Sequence, residues 1–292
     1  MKKMKLLLKA PAKINWFLEI LKKRDDGYHD ILSVMQCVDL FDDLSFEKSG
    51  EIELISDMNI PPEENLVYRA AFLLKEYSSY KGGARIFLKK HIPHAAGLGG
   101  GSSDAAYTLM GLNRLWELGL ETKTIAELAS EIGSDVPFFI NGIFSLVEGR
   151  GEKVKELKNE NSVAMLLVKP DISVSASWAY SSYRATKLTK KHIDIKLFCQ
   201  FLGKKDYTSL RSIIFNDLEK PVIDKYHVVE DIKRALIENG AVISSMSGSG
   251  PVVFGVFNSA EEALRASKNM GANWCRVVRT LKTDEQWETK IQ

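Results

Sequence analysis

Residues 93 to 106 read Pro93-His94-Ala95-Ala96-Gly97-Leu98-Gly99-Gly100-Gly101-Ser102-Ser103-Asp104-Ala105-Ala106. Four glycines in the five positions from Gly97 to Gly101, followed by two hydroxyl residues able to cap a helix, leave backbone N–H groups unshielded at a helix N-terminus. Such a surface suits a phosphate. Leu109, Leu112 and Trp116 recur at helical spacing behind Ala105 and Ala106, so a helix is expected whose dipole points at the same anion. The alternative, a plain turn capped by Ser102 or Ser103, fits poorly with so long a run.

Two widespread phosphate motifs do not match. A Walker A loop requires a lysine and then Ser or Thr after its last glycine, whereas Ser102 and Ser103 follow Gly101 directly. A dinucleotide fingerprint counted from Gly97 and Gly99 requires glycine where Ser102 stands. Two charged residues in other segments have plain structural readings of their own. Asp135 follows Gly133 and precedes Val136-Pro137, so on its own terms it reads as the N-cap of a short helix with Pro137 in its first turn. Lys13, flanked by apolar residues, reads on its own terms as an exposed strand-end lysine.

The loop resembles the phosphate-binding loop of the galactokinase, homoserine kinase, mevalonate kinase and phosphomevalonate kinase superfamily. Two more segments strengthen the likeness: Ala10-Pro11-Ala12-Lys13-Ile14-Asn15 running on to Asp26-Gly27-Tyr28-His29, and Ile132-Gly133-Ser134-Asp135-Val136-Pro137. Together with Met246-Ser247-Gly248-Ser249-Gly250 they resemble the branch that phosphorylates 4-diphosphocytidyl-2-C-methyl-D-erythritol for non-mevalonate isoprenoid synthesis. The resemblance implies an α+β, two-domain small-molecule kinase fold. Its N-terminal domain would be like a ribosomal-protein domain, its C-terminal domain a ferredoxin-like α/β sandwich, and its active site would lie in the cleft between them. It implies Lys13 and Asp135 as the catalytic pair, ATP held on Pro93 to Ser103, and Asn65 near the adenine. Read alone, Asn65 caps the helix that begins at Leu66.

ATP brings Mg²⁺ with it, for which Ser102 or Ser103 is a candidate ligand. On the acceptor side the resemblance implies a cytidylyl pocket from Tyr28 and His29, with Tyr180 as the opposite ring and Trp178 competing for that place; Asn15 would help hold the acceptor. Without the resemblance, Tyr28 and His29 are the start of a strand after a tight turn, and Asn15 a strand hydrogen bond. Asp104 is expected only to complement the helix dipole, and His94 to be a surface residue. The sequence departs from the common pattern at His94-Ala95-Ala96 and at Ser249, where many relatives have threonine.

Composition is consistent with this reading. The 292 residues carry 40 Lys+Arg against 38 Asp+Glu, a formal net charge of +2, so there is no basic excess for a nucleic-acid partner. Cys37, Cys199 and Cys275 are scattered and odd in number, as expected of a reducing cytoplasm. Leu6-Leu7-Leu8 after the lysines of the start is cut short by Lys9, and no stretch approaches the roughly 18 apolar residues of a membrane span. A monomer or weak homodimer acting on a small molecule is expected. Another kinase of the superfamily, of homoserine, shikimate or mevalonate type, would share the loop but not the Asp-Gly-Tyr-His block; a non-catalytic nucleotide- or RNA-binding module fits neither the charge nor the Lys13 and Asp135 pair.

The elements that must position these residues are legible as periodicity. Ile14, Trp16, Leu18 and Ile20 alternate along a strand, Tyr28 to Leu40 is a second, and Lys48-Ser49-Gly50 separates Leu44-Phe46 from Ile52-Leu54 as a hairpin would. An antiparallel sheet is expected, covered on one face by helices from Leu66 to Tyr77, from Ser103, and from Thr124 to Ile132. A second series runs from Ala164-Val168 through Val242-Met246 and Val252-Phe257 to Val277-Leu281, with a boundary near residue 158 dividing 1–158 from 159–292. Lys187 to Lys191 reads as a solvated loop.

Overall fold

The structure, a computed structural model, describes residues 5–184, 193–271, 273–283 and 290–291. The expected loop at 187–191 lies outside these ranges. The first half contains β1 (Lys5–Lys23), β2 (His29–Ser49), β3 (Glu53–Ser56), α1 (Leu66–Ser78), β4 (Gly83–Lys89), α2 (Gly100–Leu115), α3 (Thr122–Ile132), α4 (Val136–Asn141), β5 (Phe144–Gly149) and β6 (Lys153–Glu156). The second contains β7 (Ala164–Lys169), α5 (Ala176–Ser182), α6 (Ile195–Gly203), α7 (Tyr207–Arg211), α8 (Glu219–Lys225), α9 (Val228–Glu238), β8 (Ile243–Met246), β9 (Val253–Phe257), α10 (Ala260–Ser267), β10 (Trp274–Arg279) and β11 (Lys290–Ile291).

The larger sheet runs β11-β1-β2-β4-β3, with β5 also on β2 and β6 on β5. Its pairs are antiparallel except one: β3 lies parallel to β4, which sits between β3 and β2. The expected hairpin across Lys48-Ser49-Gly50 therefore does not form. A chain reversal is locally encoded, but β4 claims the edge of β2. Gly83 lets it enter, because a Cβ there would stand 2.2 Å from the carbonyl carbon of Glu51.

The smaller sheet, in order β10-β7-β9-β8, is wholly antiparallel, with α9 and α10 packed on it; in chain order this is strand four, one, three, two, the ferredoxin-like arrangement. Residue 158 falls between β6 and β7, while β11 returns to pair with β1.

Strand β1 explains how the site is held. Its even-numbered side chains pass through three packed cores: Leu6, Leu8 and Ala10 under the helices α1 to α4, Ala12, Ile14 and Trp16 against the smaller sheet, Leu18 and Ile20 against α8 and α9. With a side-chain period of two, Lys13 and Asn15 lie on the opposite face. A β-bulge between Asn15 and Phe17 then turns Phe17 into the core beside Trp16. Among the described residues no helix is long and apolar enough to cross a membrane.

Candidate active site

A cleft of about 620 Å³ lies where the two sheets meet, a size suited to a small molecule. Lys13, Asn15, Gly97, Gly99, Ser102, Asp135, Tyr28, His29, Tyr180, Gly248 and Ser249 all line it. Residues separated by more than two hundred positions thus converge as the sequence motifs predict.

Lys13 is not the exposed strand-end residue that its local context suggests; it is 3% exposed. Its Nζ donates to Asn15 Oδ1 at 2.6 Å and stands 3.5 Å from Asp135 Oδ2. Asn15 Nδ2 donates onward to Ser33 Oγ at 2.8 Å, which fixes the amide orientation. A buried ammonium needs such partners, since desolvation without them would cost several kcal/mol. Asp135 does precede the short helix α4, yet its side chain makes no capping hydrogen bond and remains one-third exposed, turned toward Lys13. An uncapped carboxylate held toward a buried cation is available for chemistry.

The glycine run starts its helix earlier than the serines suggest. Gly99 is the N-cap of α2, with no side-chain cap, so Ser102 and Ser103 lie in the first turn instead of capping it. Ser102 faces the cleft, whereas Ser103 is wholly buried. The glycines serve a different purpose from leaving room for phosphate alone. Gly97 has φ +78° and a Cβ there would meet Ser247 O at 2.1 Å; Gly99 has φ +68° and a Cβ would meet Lys13 Cγ at 3.0 Å. Both permit the loop to press on its neighbours. Pro93 leads in, His94 and Ala95 are exposed, and Ala96 and Leu98 are buried, with Ala96 O accepting from Val252 N–H and Leu98 O from Lys13 N–H. Asn65 caps α1 through Oδ1, which accepts from Val67 N–H at 2.9 Å.

At the far end of the cleft, Gly27 at φ +86° turns the chain and Asp26 accepts the Tyr28 N–H at 3.1 Å, presenting a Tyr28 ring that is 51% exposed. His29 and Tyr180 stack with centroids 5.6 Å apart. Trp178 packs against Tyr226 and Lys225 instead, so Tyr180 is the ring that meets the cleft. Burial, aided by Lys23, holds the His29 imidazole below its usual range, and burial with the Asp135 charge raises the Tyr180 phenol. At neutral pH both rings are uncharged hydrogen-bonding groups.

Two features escaped the motifs. Arg150, in a glycine-flanked turn that reads only as a loop, lines the cleft with its guanidinium 5.2 Å from the Tyr28 centroid. Asp104 is not a surface complement to the helix dipole: it is buried, and Lys90 Nζ donates to its Oδ2 at 2.6 Å and also to Asp42. Asp42 Oδ1 accepts the His91 and Ile92 N–H groups at 2.5 and 2.9 Å, anchoring the entry to the glycine run. Burial, opposed by Lys90 and reinforced by Asp42, pushes the Asp104 carboxyl up to about 8.

A carboxyl raised above its unfolded value stabilises the fold fully below the unfolded pKa, and that contribution is lost as pH climbs through the folded one. Asp104→Asn lacks this loss, so its thermal midpoint should gain on the wild type by roughly 5 °C between pH 6 and pH 9. Equal midpoint changes for both proteins would refute the assignment.

The same arrangement of motifs recurs in known proteins. Residues 65–142 match the GHMP kinases N terminal domain and residues 195–275 the GHMP kinases C terminal domain. A 4-diphosphocytidyl-2-C-methyl-D-erythritol kinase of Thermodesulfovibrio yellowstonii is 50% identical over 94% of this chain and 98% of its own. Another, from Caldanaerobacter subterraneus, is 46% identical over 90% of this chain and 92% of its own. The crystal structure of a 4-(cytidine 5'-diphospho)-2C-methyl-D-erythritol kinase superposes with a TM-score of 0.83 at 30% identity, covering 94% of this chain and 98% of that one. A homoserine kinase from Cytophaga hutchinsonii, at 20% identity and a TM-score of 0.72, shares the fold over 100% of this chain and 98% of its own. With half its residues unchanged along nearly all of one such enzyme and the fold of another, this chain belongs to the 4-diphosphocytidyl-2-C-methyl-D-erythritol kinase family of GHMP kinases.

Proposed function

We propose that this chain transfers the γ-phosphoryl group of ATP to the 2-hydroxyl of 4-diphosphocytidyl-2-C-methyl-D-erythritol, in the cytoplasm, as a monomer or weak homodimer. The observation that carries the reading is the pairing, in one cleft, of the Lys13 and Asp135 charges with an aromatic end built from Tyr28, His29 and Tyr180. Asp135 accepts the proton of the acceptor hydroxyl as its oxygen bonds to the γ-phosphorus and the bridging bond to ADP breaks. Lys13 offsets charge on the migrating group. The N–H groups between Gly97 and Ser103 and the dipole of α2 cradle the ATP phosphates; Asn65, which caps α1 with its oxygen and is not among the residues lining the cleft, is assigned to the adenine on the family resemblance.

The cytosine sits against Tyr28 and Tyr180, with neutral His29 reading its edge, and Asn15 holds the acceptor beside Lys13. Ser102 opens into the cleft and is an oxygen donor of the kind Mg²⁺ takes when phosphates complete its shell, whereas the Ser103 hydroxyl is fully buried away from it. When bound, the ion neutralises phosphate charge. The two units divide near residue 158.

A coupled ADP-release assay with the cytidylyl substrate, free methylerythritol, homoserine and mevalonate tests the proposal. Turnover is expected with the first alone, because the nucleotide handle supplies the binding energy that aligns the hydroxyl. Faster phosphorylation of homoserine or mevalonate would overturn it. Tyr28→Ala should raise KM for the cytidylyl substrate about tenfold, stacking being worth roughly 1–3 kcal/mol, and leave KM for ATP in place. An unchanged KM for both would remove Tyr28 from the pocket.

A further inference from the structure

Asn216, on the segment between α7 and α8, is 6% exposed, and neither it nor any neighbour from Phe215 to Glu219 lines the cleft. Every part of its carboxamide is nevertheless committed. Nδ2 donates to Met246 O and to Gly248 O, both at 2.8 Å, and Oδ1 accepts the Leu218 N–H at 2.9 Å. A group with two donors spent on two carbonyls of one turn fixes that turn more tightly than one hydrogen bond could. The segment is itself anchored to β1: Leu18 N–H donates to Phe215 O at 3.0 Å, and Asp217 N–H donates to Leu18 O at 2.9 Å.

The turn so held reaches the reacting groups directly. Ser247 Oγ donates to Gly97 O at 2.9 Å and accepts the Asn15 N–H at 3.2 Å, joining the glycine run to β1. The backbone of Gly248 presses so closely that a Cβ on it would stand 3.2 Å from both Lys13 Nζ and Asn15 Oδ1. One side chain thus fixes a turn that touches the phosphate loop, the acceptor-holding Asn15 and the catalytic ammonium.

From this the geometry points to Asn216 as a positioning residue for phosphoryl transfer: by clamping the Met246 and Gly248 carbonyls it sets where Ser247 and Gly248 hold Gly97, Asn15 and Lys13. The inference rests on the role proposed above for Lys13. It makes Asn216 necessary for the placement of the ammonium and leaves the aromatic rings that bind the cytidylyl group in place, since Tyr28, His29 and Tyr180 belong to other segments. A residue acting this way affects kcat more than KM, and its effect disappears when the group it positions is removed.

Asn216→Asp is the sharp test, because it keeps the shape and the Leu218 contact but turns acceptors toward two carbonyls. On the full chain, kcat should fall about tenfold or more while KM for the cytidylyl substrate stays within about twofold. In a Lys13→Met background the same substitution should cost less than about threefold. Ser247→Ala, which removes only the next link, is judged by the same two measurements and decides the matter if Asn216→Asp does not fold. Wild-type kcat in a folded variant, a rise in KM alone, or equal losses in both backgrounds would overturn the inference while leaving the Lys13 role intact. Undiminished turnover by Lys13→Met alone would instead remove that role, and the inference with it.

Discussion

Asp135→Asn is expected to lower kcat about a hundredfold or more, while ATP still binds with near-normal affinity. The substitution keeps size and shape, and Lys13 retains its 2.6 Å contact with Asn15, so the cation should stay in place. On the role proposed for Asp135, what is lost is an acceptor for the hydroxyl proton and the negative charge opposite the ammonium. Because Asp135 makes no capping hydrogen bond at α4, the helix loses little, and the thermal midpoint should move by no more than a few degrees. Single-turnover kinetics with calorimetric titration of ATP separates the two effects. Near-normal kcat on the cytidylyl substrate would show that Asp135 is not the base.

A comparable loss is expected from Gly97→Ala, for a reason visible only in three dimensions. The added Cβ would stand 2.1 Å from Ser247 O in a backbone conformation, φ +78°, that L residues rarely adopt. Left-handed strain of about 1–2 kcal/mol and a clash of about 1–3 kcal/mol act together, and relief requires the Met246–Gly250 turn to withdraw from the glycine run. The midpoint should fall by several degrees and ATP affinity by tenfold or more. Gly101→Ala is the control: its Cβ would meet only a Leu66 methyl at 3.6 Å, an ordinary contact, so the fold should persist. Equal behaviour of the two variants, in melting and in nucleotide titration, would show that Gly97 is an ordinary turn residue.

The contrast between these glycines marks the limit of local reading. A run of glycines before a helix says that backbone is exposed and can approach something closely; it does not say what. The sequence points to phosphate, and the loop does open on the cleft, but the Cβ directions of Gly97 and Gly99 lie toward Ser247 and Lys13. Asn65 is a counterexample, where a local rule, an Asn before an apolar helix, holds as written. Asp104 fails in the opposite way: near a helix N-terminus it reads as a dipole partner, yet it is buried beside Asp42 of β2, with Lys90 donating to both carboxyls.

A short window of residues encodes the local part of this protein. The alternation of β1, the apolar stripes of α1 and α3, the Asp26-Gly27 turn and the motif blocks are each set by neighbours within a few residues, and with them came the family, the fold class and the candidate Lys13, Asp135, Tyr28, His29 and Tyr180. Tertiary structure alone decided the rest. The place of β4 between β2 and β3, the burial of Lys13, the choice of Tyr180 over Trp178, the approach of Arg150 to Tyr28 and the clamp at Asn216 all depend on partners distant in the chain. Periodicity tells a side chain which face it is on; only the packing of one face against another fixes which atoms it meets, and burial then decides whether a charge or an amide must find a partner there.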